Sequence, residues 1–520
     1  MSKMLKSSGA MALATMSSRV LGMVREMVYA NFMGTTWVAS AFIMAFQVPN
    51  LFRRLLGEGA LTAAFIPIFK KKEVQEGENE MWRAANAVIS GLVLASSAVT
   101  VLAVGGIAIA RSLHAFEAQT DLMLRLLQLM FPYMILVCLA AVLIGMSNAR
   151  GHFFVPALGS VILNIIMIAS VYLLAPRMGK ALELRIFGLA IGVVLAGLAQ
   201  AFFQLPSLSK EGFRYTWVSP WNDSTVREVV RKMVPGSIGV AAFQINVLVT
   251  QCFSFWFEPS IVSTFNYSVR LMELPQGMFG ISLATYLLPT LSGLAAEKKY
   301  PEFRATLGQG LGHLAFVNLF AAAIAAGLAQ PIVRLLFERG QFGPEATTRV
   351  AWSLFWLAPG LLMFSMNNIL ARAFYALNDI QTPMRISVLC LFLNLGFALW
   401  LIHPYQERGL GVANTLTATL NLGLLTYSLR RKLGRLELAN LRRSLLILLP
   451  NAVLTMLLAA YVAKYWDLHL GHSTLLLRVG HVFVPAAVGG IAYWIVAIQG
   501  RVPAASEILA LVSRRVGAGN

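Results

Sequence analysis

Six arginines and two glutamates lie inside or near the ends of long apolar stretches of this 520-residue chain. They are Arg19, Arg25, Glu26, Arg53, Arg54, Arg270, Glu273 and Arg372. The planar guanidinium group of arginine binds phosphate or carboxylate through two parallel hydrogen bonds. Arginines in this pattern therefore indicate a binding site for an anion that carries phosphate or carboxylate groups.

The spacing of these residues indicates partial charge compensation. Arg19 and Glu26 are seven positions apart, so two helical turns bring them to nearly the same face. Ser18 and Arg25 have the same separation. Other pairs lie closer, at three or four positions, where side chains on a helix can touch. These pairs are Arg270 with Glu273 and Arg54 with Glu58.

The predicted site carries a net positive charge. Of its charged residues, counting Arg53 and leaving Arg372 aside, five are basic and three are acidic. One arginine at the middle of a membrane span costs about 2.5–3.5 kcal/mol on insertion scales. We therefore expect these arginines to face a hydrated cavity. The alternative is a set of ion pairs and of interfacial arginines that extend to the membrane surface, which needs no ligand.

The composition indicates that most of this chain lies within a lipid bilayer. The sequence is 58% hydrophobic and only 12% charged, whereas about 25% charged residues are typical of soluble domains. Runs such as Val88 to Ala110, Met233 to Phe257 and Ser444 to Ala463 contain no charge. Each reaches the roughly 20 residues that a spanning helix needs. The sequence therefore predicts an all-α polytopic membrane protein.

About 14 transmembrane helices are predicted from the charge-poor runs. Their approximate limits are 9–33, 36–69, 84–110, 124–148, 153–175, 184–206, 232–256, 261–294, 306–328, 347–376, 384–402, 409–430, 443–464 and 476–499. The second, eighth and tenth spans are long and contain Pro49, Pro275 and Pro359, so we expect kinks there. We interpret the N-terminal stretch as a retained first helix, because charges interrupt it and no clear cleavage site follows.

The distribution of basic residues predicts the orientation in the membrane. Of the 42 Lys and Arg residues, 25 lie at or beside the links on the side of the two termini, and 11 lie on the opposite side. Cytoplasmic links are enriched in Lys and Arg. Both termini are therefore predicted to be cytoplasmic.

A repeat of the proline positions divides the chain. Pro132 and Pro156 are followed 227 positions later by Pro359 and Pro383. Six spans precede the repeat boundary, so both copies have the same orientation, as in transporters with parallel repeats. The predicted domains are an N-lobe at 1–226, a C-lobe at 227–435, and a segment at 436–520 with spans 13 and 14 and the C-terminus.

Several other functions lack a matching pattern. The three cysteines lie apart in apolar runs, and His469 with His472 has no further ligand pattern, so no metal site is predicted. No phosphate-binding loop of the Walker type and no nucleophile with a catalytic base can be identified, so we expect no enzymatic activity. The basic residues do not gather on a soluble face, so nucleic-acid binding is not expected.

Several motifs resemble those of one family. The residues are SSRVLG at 17–22 followed by Arg25 and Glu26, VPNLFRR at 48–54 followed by GEGA at 57–60, YSVRLMELP at 267–275 and FYALNDIQTP at 374–383. They closely resemble the MurJ (MviN) lipid II flippases of the multidrug/oligosaccharidyl-lipid/polysaccharide exporter superfamily. With the 14 predicted spans, the resemblance extends over essentially the whole chain.

The resemblance implies two six-helix lobes around a central cationic cavity. The implied function is the flipping of lipid II, the undecaprenyl-pyrophosphate-linked peptidoglycan precursor, from the cytoplasmic to the periplasmic leaflet of the bacterial inner membrane by alternating access. The motifs place the substrate-binding arginines at Arg19, Arg25, Arg53 and Arg270. Neighbouring positions are Ser18, Glu26, Arg54, Glu58 and Glu273. Spans 13 and 14 are expected to form a groove for the lipid tail, and peptidoglycan synthesis enzymes are expected partners.

The sequence departs from the family pattern at positions that matter for mechanism. Ser40 replaces a frequent aspartate, and Val269 replaces a frequent acidic or amide residue. The positions of a sodium site found in some members correspond to Thr250, Asn394 and Ala398. Without two carboxylates a site for a hard cation is greatly weakened. We therefore expect no cofactor and no sodium site, with protons or the membrane potential left as energy sources.

Three other functions remain to be compared with flipping. An exporter of another polyprenyl-linked glycan or of small molecules would also use a cationic cavity, although a soluble substrate would not need spans 13 and 14. A membrane glycosyl or acyl transferase would need a catalytic base or nucleophile, and none can be identified in the sequence. A scaffold that transports nothing would have no use for intramembrane arginines.

Overall fold

The computed structural model describes residues 3–54 and 60–507, with side chains described throughout except at 3–15, 60, 62–63, 235–243, 279 and 281–282. Within these ranges the chain forms 19 α-helices. They are α1 (Lys3–Met33), α2 (Trp37–Phe52), α3 (Ala60–Glu76), α4 (Glu78–Leu113), α5 (Ala118–Met130), α6 (Tyr133–Ala149), α7 (Phe154–Leu173), α8 (Leu182–Phe202), α9 (Leu205–Lys210), α10 (Ser224–Phe257), α11 (Ser260–Pro275), α12 (Ser282–Ala296), α13 (Tyr300–Gly327), α14 (Ala329–Phe337), α15 (Pro344–Leu357), α16 (Gly360–Ala376), α17 (Gln381–Leu433), α18 (Ala439–His469) and α19 (Leu475–Gln499).

The helices confirm the predicted all-α membrane fold. Among the described residues, seven helices are long and apolar enough to cross a membrane, and ten spans result if each of three bent helix pairs counts as one. The remaining predicted spans coincide with α1, with α2 and α3 together, with α10 and with the second half of α17. The predicted number of 14 spans is therefore consistent with the described helices.

Two of the prolines in the repeat occupy the same structural position. Pro132 lies directly before α6 and Pro359 directly before α16. The helix pair α5 and α6 bends by 41°, and the pair α15 and α16 bends by 45°. A proline lacks the N–H group that would continue the helical ladder, which explains the break at each site. Pro49 differs, because α2 continues through it and ends at Phe52.

The two predicted spans at 384–402 and 409–430 lie in one long helix, α17, with a sharp break. Gln406 has a φ of 50° and a ψ of −130°, which separates two helical halves. Glu407 follows the break and is 2% exposed, and its carboxylate accepts hydrogen bonds from Arg349 at 2.8 and 2.9 Å. This bidentate ion pair fixes the break against α15.

Internal contacts divide the chain into two compact units, residues 1–263 and 264–520. Helix α10, which the proline repeat assigns to the second domain, packs on α2, α3 and α4 in the first unit. The predicted domain limits at 226 and 435 were derived from a repeat in the sequence. A division by internal contacts does not test whether the sequence repeats. The predicted domain limits therefore stay a prediction.

The first unit has an aromatic core between its helices. Phe42 of α2 packs edge-on against Tyr29 of α1, with ring centroids 6.2 Å apart. A second cluster joins Phe69 of α3, Trp82 of α4 and Phe213, in which successive ring centroids are 5.5 Å apart. The first contact joins α1 to α2, and the second cluster joins α3 to α4 and to the segment of Phe213.

The second unit is held by contacts between α13 and the last two helices. Tyr493 of α19 is fully buried and donates a hydrogen bond from its hydroxyl to the carbonyl oxygen of Phe316, at 2.8 Å. Asn451 of α18 donates to the carbonyl oxygen of Tyr493 at 2.9 Å. Spans 13 and 14 are therefore packed on α13, and the groove for a lipid tail stays a prediction.

Gly327 permits the close approach of α13 and α18. A Cβ atom at this position would lie 2.6 Å from the carbonyl oxygen of Met456 and 3.2 Å from its Cα atom. Backbone atoms of a packed helix do not move aside easily. We expect Gly327→Ala to lower the free energy of unfolding by about 1–3 kcal/mol, as overpacking does. Thermal unfolding of the purified protein measures this effect.

The matched control for this substitution is Gly312→Ala on the same helix. No heavy atom lies within 4 Å of a Cβ atom at Gly312. Alanine is the better helix former, so the control should unfold at the same or a higher temperature. Equal melting temperatures for the two variants would contradict the proposed close packing at Gly327.

One arginine joins three links on the side of the termini. The guanidinium group of Arg150 contacts Glu73 at 2.6 Å, Glu78 at 3.0 Å and Glu211 at 2.9 Å. A hydrogen bond from Lys70, together with the charge of Arg150, lowers the pKa of the Glu73 carboxyl. Bonds from His152 and then Arg150 lower the pKa of Glu211.

This carboxylate cluster predicts a loss of stability in acid. The pKa values of Glu73 and Glu211 are lower in the folded chain than in the unfolded chain, where glutamate has a pKa of about 4.3. Their contribution is therefore present above about pH 4.3 and is lost as the pH falls below it. We expect Arg150→Met to cost about 1 kcal/mol at pH 7 and less near pH 3.5.

Melting temperatures of the purified protein between pH 7 and pH 3.5 test this expectation. Arg227→Met is the control, because Arg227 is exposed and has no ion pair with a described residue. If Arg150→Met and the native chain lost the same stability on acidification, the cluster would not be the source of the pH dependence.

Candidate anion-binding site

Arg25 is held in a defined position on α1. Its Nη2 atom donates to Oε1 of Glu26 at 2.6 Å, and its Nη1 atom donates to Oδ1 of Asn164 at 3.0 Å. The guanidinium carbon lies 5.5 Å from the ring centroid of Tyr29. The Arg25 side chain is 19% exposed. The guanidinium group is therefore fixed at its partners, and part of the side chain is accessible to solvent.

Asn164 of α7 links the two helices of this site. It accepts from Arg25, and its Nδ2 atom donates to the carbonyl oxygen of Ser18 at 3.2 Å. Asn164 is only 4% exposed. The sequence prediction included Ser18 and Arg25 but missed Asn164. The signal available in the sequence was an amide side chain in the middle of the uncharged run at 153–175. A buried amide needs hydrogen-bond partners, and here residues of α1 supply them.

The other arginines of the first unit have different environments. Arg19 is exposed and has no acidic partner within ion-pair distance among the described residues. Arg53 is half-buried near the buried thiol of Cys138. Arg54 donates from Nη1 to Oε1 of Gln244 in α10, at 3.3 Å. Glu58, the expected partner of Arg54, lies outside the described residues.

The charge of Glu26 on α1 is compensated by a different arginine from the one predicted. Seven-residue spacing favoured Arg19 with Glu26, whereas the short contact of Glu26 is with its sequence neighbour Arg25, at 2.6 Å. Adjacent residues do not face each other on a helix. The long arginine side chain overcomes this separation, because Asn164 of α7 holds its other nitrogen on the same side.

In the second unit, Arg270 of α11 forms the predicted ion pair with Glu273. Its Nη1 atom lies 2.8 Å from Oε2 of Glu273, and the two side chains are 36% and 50% exposed. This pair is confirmed. Arg372 of α16 is half-buried, and no ion pair with a described residue accompanies it.

The positions that depart from the family pattern are occupied by packing residues. Ser40 is fully buried, and its hydroxyl accepts a hydrogen bond from the backbone N–H of Ser263 at 3.0 Å. Val269 is half-buried against Met272 and its neighbours. Neither residue brings a charge near an arginine.

The three positions related to a sodium site offer few oxygen ligands. Thr250 is half-buried in α10. Asn394 is 9% exposed and donates to the hydroxyl of Thr417 at 3.3 Å, and Ala398 is 3% exposed. Among the residues searched in the described ranges, no group of three or more His, Cys, Asp or Glu side chains is placed to hold a metal ion.

Comparison with known proteins decides the family. The family model described as lipid II flippase MurJ matches residues 29–479. The chain belongs to the MurJ family. A probable lipid II flippase MurJ of Haemophilus influenzae is 33% identical to it over 475 residues, which cover 87% of this chain and 90% of the relative. The corresponding protein of Vibrio cholerae is 32% identical, over 81% of this chain and 82% of the relative.

Solved structures agree with the MurJ fold. A structure of lipid II flippase MurJ in an inward closed conformation matches with a TM-score of 0.76 at 20% identity, covering 94% of this chain and 99% of that chain. An inward-facing MATE family transporter of the MOP superfamily matches with a TM-score of 0.68 at 12% identity, covering 80% of this chain and 94% of that chain. At these identities the matches show the fold alone.

Family and helices together define the cellular location. This MurJ family member has several helices that are apolar and long enough to span a bilayer. It is a multi-pass protein of the bacterial inner membrane. The family resemblance found in the sequence motifs is confirmed by the family model and by the curated relatives.

Proposed function

We propose that this chain flips lipid II from the cytoplasmic to the periplasmic leaflet of the inner membrane by alternating access. Membership of the MurJ family carries this proposal. Flipping moves the substrate without forming or breaking a covalent bond, so the chain is a transporter and not an enzyme. Its product serves peptidoglycan synthesis and hence cell wall growth.

Arg19, Arg25, Arg53 and Arg270 are proposed to bind the pyrophosphate group of the substrate. Pyrophosphate is a dense anion, and each guanidinium group can donate two parallel hydrogen bonds to it. The bonds from Arg25 to Glu26 and Asn164 support this role, because they orient one guanidinium group before the substrate arrives. Ser18, Arg54, Glu58 and Glu273 are proposed as neighbouring residues of the site.

The proposed energy source excludes sodium. Thr250, Asn394 and Ala398 supply no carboxylate at the positions expected for a sodium site. Replacing sodium by potassium in the medium should therefore leave the rate of flipping unchanged, whereas dissipating the membrane potential or the proton gradient should lower it. Flipping by the chain in proteoliposomes measures both effects. A strict requirement for sodium would contradict this part of the proposal.

Both termini are proposed to lie in the cytoplasm. The basic residues at the links support this orientation, which the positive-inside rule predicts. A C-terminal fusion to a reporter that is active only in the cytoplasm should be active, and a fusion to a periplasmic reporter should be inactive. The reverse pattern would exclude the proposed orientation.

Peptidoglycan synthesis enzymes are proposed as partners before and after transport.

Complementation tests the proposed function directly. The native chain is expressed in a bacterial host from which the essential flippase is depleted, and lipid II exposed on the outer face is measured by an externally added lipid II-degrading enzyme. We expect growth and exposure of lipid II to be restored. Accumulation of inaccessible lipid II, despite a normal amount of the chain in the membrane, would contradict the proposal.

A further inference from the structure

The link between α9 and α10 carries three exposed aromatic side chains. Tyr215, Trp217 and Trp221 are 51%, 60% and 78% exposed. They belong to residues 211–223, which we call the aromatic link, and residues 213–220 within it have no regular secondary structure. Exposed apolar side chains that lie together mark a surface for interaction. The three rings therefore indicate a contact with something outside the chain.

The aromatic link is fixed to the beginning of α4. The ring centroids of Phe213 and Trp82 lie 5.5 Å apart. Asn86, one turn further along α4, donates from Nδ2 to the carbonyl oxygen of Arg214 and to the hydroxyl of Thr216, each at 3.0 Å. Helix α4 is long and apolar enough to cross the membrane. The link is therefore held against a membrane-spanning helix.

Two further contacts show how far the link follows α4. The hydroxyl groups of Ser90 and Tyr215 are hydrogen-bonded at 3.2 Å. Next to Ser90, a Cβ atom at Gly91 would lie 3.2 Å from the Cβ atom of Pro220. An α-helix rises about 1.5 Å per residue, so α4 rises about 13 Å from Trp82 to Gly91. The link follows α4 over this distance, in the direction of the membrane.

The depth of the link is limited by the residues beyond it. Val226 of α10 also lies beside Gly91, with its Cγ1 atom 3.6 Å from the same Cβ position, and the next residue, Arg227, is exposed. A charged side chain is costly in the hydrocarbon core. Residues 92–110 of α4 are 19 residues without a charge, close to the roughly 20 that cross the core. The link therefore lies beside the part of α4 just outside the core.

We propose that the aromatic link is an anchor that binds the interfacial layer of the bilayer, on the side of the two termini. Trp and Tyr are enriched in this layer, because the ring lies among lipid while its N–H or O–H group reaches water. Tyr215, Trp217 and Trp221 supply this contact. It continues the lipid-facing surface of α4, on which Val101 and Leu102 are 70% and 75% exposed. The occupant is the lipid surface, and the contact does not depend on the transported substrate.

Electron paramagnetic resonance of a nitroxide label measures the depth of the link in the full chain. The three native cysteines are replaced by alanine, and Ser219→Cys places the label on an exposed residue between the two tryptophans. Val74→Cys, at a position 83% exposed near the charged end of α3, is the reference in water. Leu102→Cys is the reference in the hydrocarbon core. Each labelled chain is reconstituted into vesicles of phosphatidylethanolamine and phosphatidylglycerol.

The measured quantity is the accessibility of the label to oxygen divided by its accessibility to a nickel chelate. Oxygen concentrates in lipid and the chelate stays in water, so this ratio rises with depth. We expect the ratio at Ser219→Cys to lie several-fold above that at Val74→Cys and below that at Leu102→Cys. A ratio equal to that at Val74→Cys would place the link in water, and a ratio equal to that at Leu102→Cys would place it in the core. Either result would overturn the proposal.

Substitution of the two tryptophans tests whether they make the contact. Trp217→Ser together with Trp221→Ser should lower the ratio at the Ser219→Cys label, because the link loses its two largest rings. Trp256→Ser is the matched control, since Trp256 is 71% exposed and lies near the far end of α10. It should leave the ratio unchanged. An unchanged ratio in the double variant would show that packing on α4 alone holds the link, and would overturn the anchor.

A label at Leu102→Cys in the double variant separates loss of the anchor from misfolding. Leu102 lies on α4 beyond the link, so its ratio should keep the native value if the helix still spans the bilayer. Asn86→Leu removes the two hydrogen bonds to the link and should make the Ser219→Cys label more mobile. Ser96→Ala is its control, because the hydroxyl of Ser96 bonds only to carbonyl oxygens of its own helix. Equal mobility in these two variants would contradict the attachment of the anchor to α4.

Discussion

Arg25→Ala is expected to slow lipid II flipping by this chain strongly. The substitution removes the guanidinium group that Glu26 and Asn164 hold at 2.6 and 3.0 Å. Each charge-assisted hydrogen bond to the substrate is worth about 1.5–3 kcal/mol, so the rate should fall about tenfold to a hundredfold. The complementation assay described above, with lipid II exposure as its readout, measures the loss.

Folding must be separated from function in this experiment. Arg25→Ala removes the guanidinium group that lies 2.6 Å from the carboxylate of Glu26, a residue that is 8% exposed. Removing a charged contact from a buried carboxylate is costly. The double variant Arg25→Ala with Glu26→Gln removes both charges and should be present in the membrane, yet it should flip lipid II as slowly as Arg25→Ala. Arg25→Lys should be intermediate, because lysine keeps the charge and loses the planar fork.

Arg177→Ala is the matched control for Arg25. Arg177 belongs to the same unit, is exposed, and donates to the carbonyl oxygen of Leu173 at a helix end. Its removal should leave flipping unchanged. A normal rate of flipping in Arg25→Ala, at a normal membrane level, would remove Arg25 from the proposed binding site.

Arg270→Ala is expected to cause a loss of similar size with little effect on stability. Arg270 and Glu273 form an ion pair whose side chains are 36% and 50% exposed. Exposed ion pairs contribute at most about 1 kcal/mol to folding. The melting temperature should therefore change little, while flipping falls about tenfold or more because one phosphate contact is lost.

Two further variants sharpen the assignment of Arg270. Glu273→Gln removes the ion pair but keeps the guanidinium group, so it should flip lipid II far better than Arg270→Ala. Arg430→Ala, at an exposed position near the end of α17, should behave like the native chain. If Glu273→Gln and Arg270→Ala were equally defective, the ion pair itself and not phosphate binding would be the function of Arg270.

The membrane spans could be predicted well from the sequence. A bilayer requires about 20 consecutive apolar residues with every backbone group bonded within the helix, so each span is readable from a local stretch. Pro132 and Pro359 also predicted equivalent positions, and each lies directly before a bent helix. The ion pair of Arg270 and Glu273 was predictable because a separation of three positions on one helix brings two side chains together.

The partners of Arg25 depended on the packing of helices that are distant in sequence. Asn164 lies 139 positions from Arg25, and nothing local in either stretch specifies the contact. The same holds for the pair of Arg54 and Gln244, and for the hydrogen bonds of Asn86 to the aromatic link.

The sequence by itself determined that this chain spans the membrane many times, carries arginines where lipid would exclude them, and has the motifs of lipid II flippases. These properties follow from local composition and spacing, because the bilayer imposes the same requirement on every span. Only the tertiary structure decided that Glu26 and Asn164 hold Arg25, that α10 packs in the first unit, and that the aromatic link lies along α4. Contacts of this kind depend on how helices pack against each other, and in lipid that packing is set by the fit of side chains over whole helix faces.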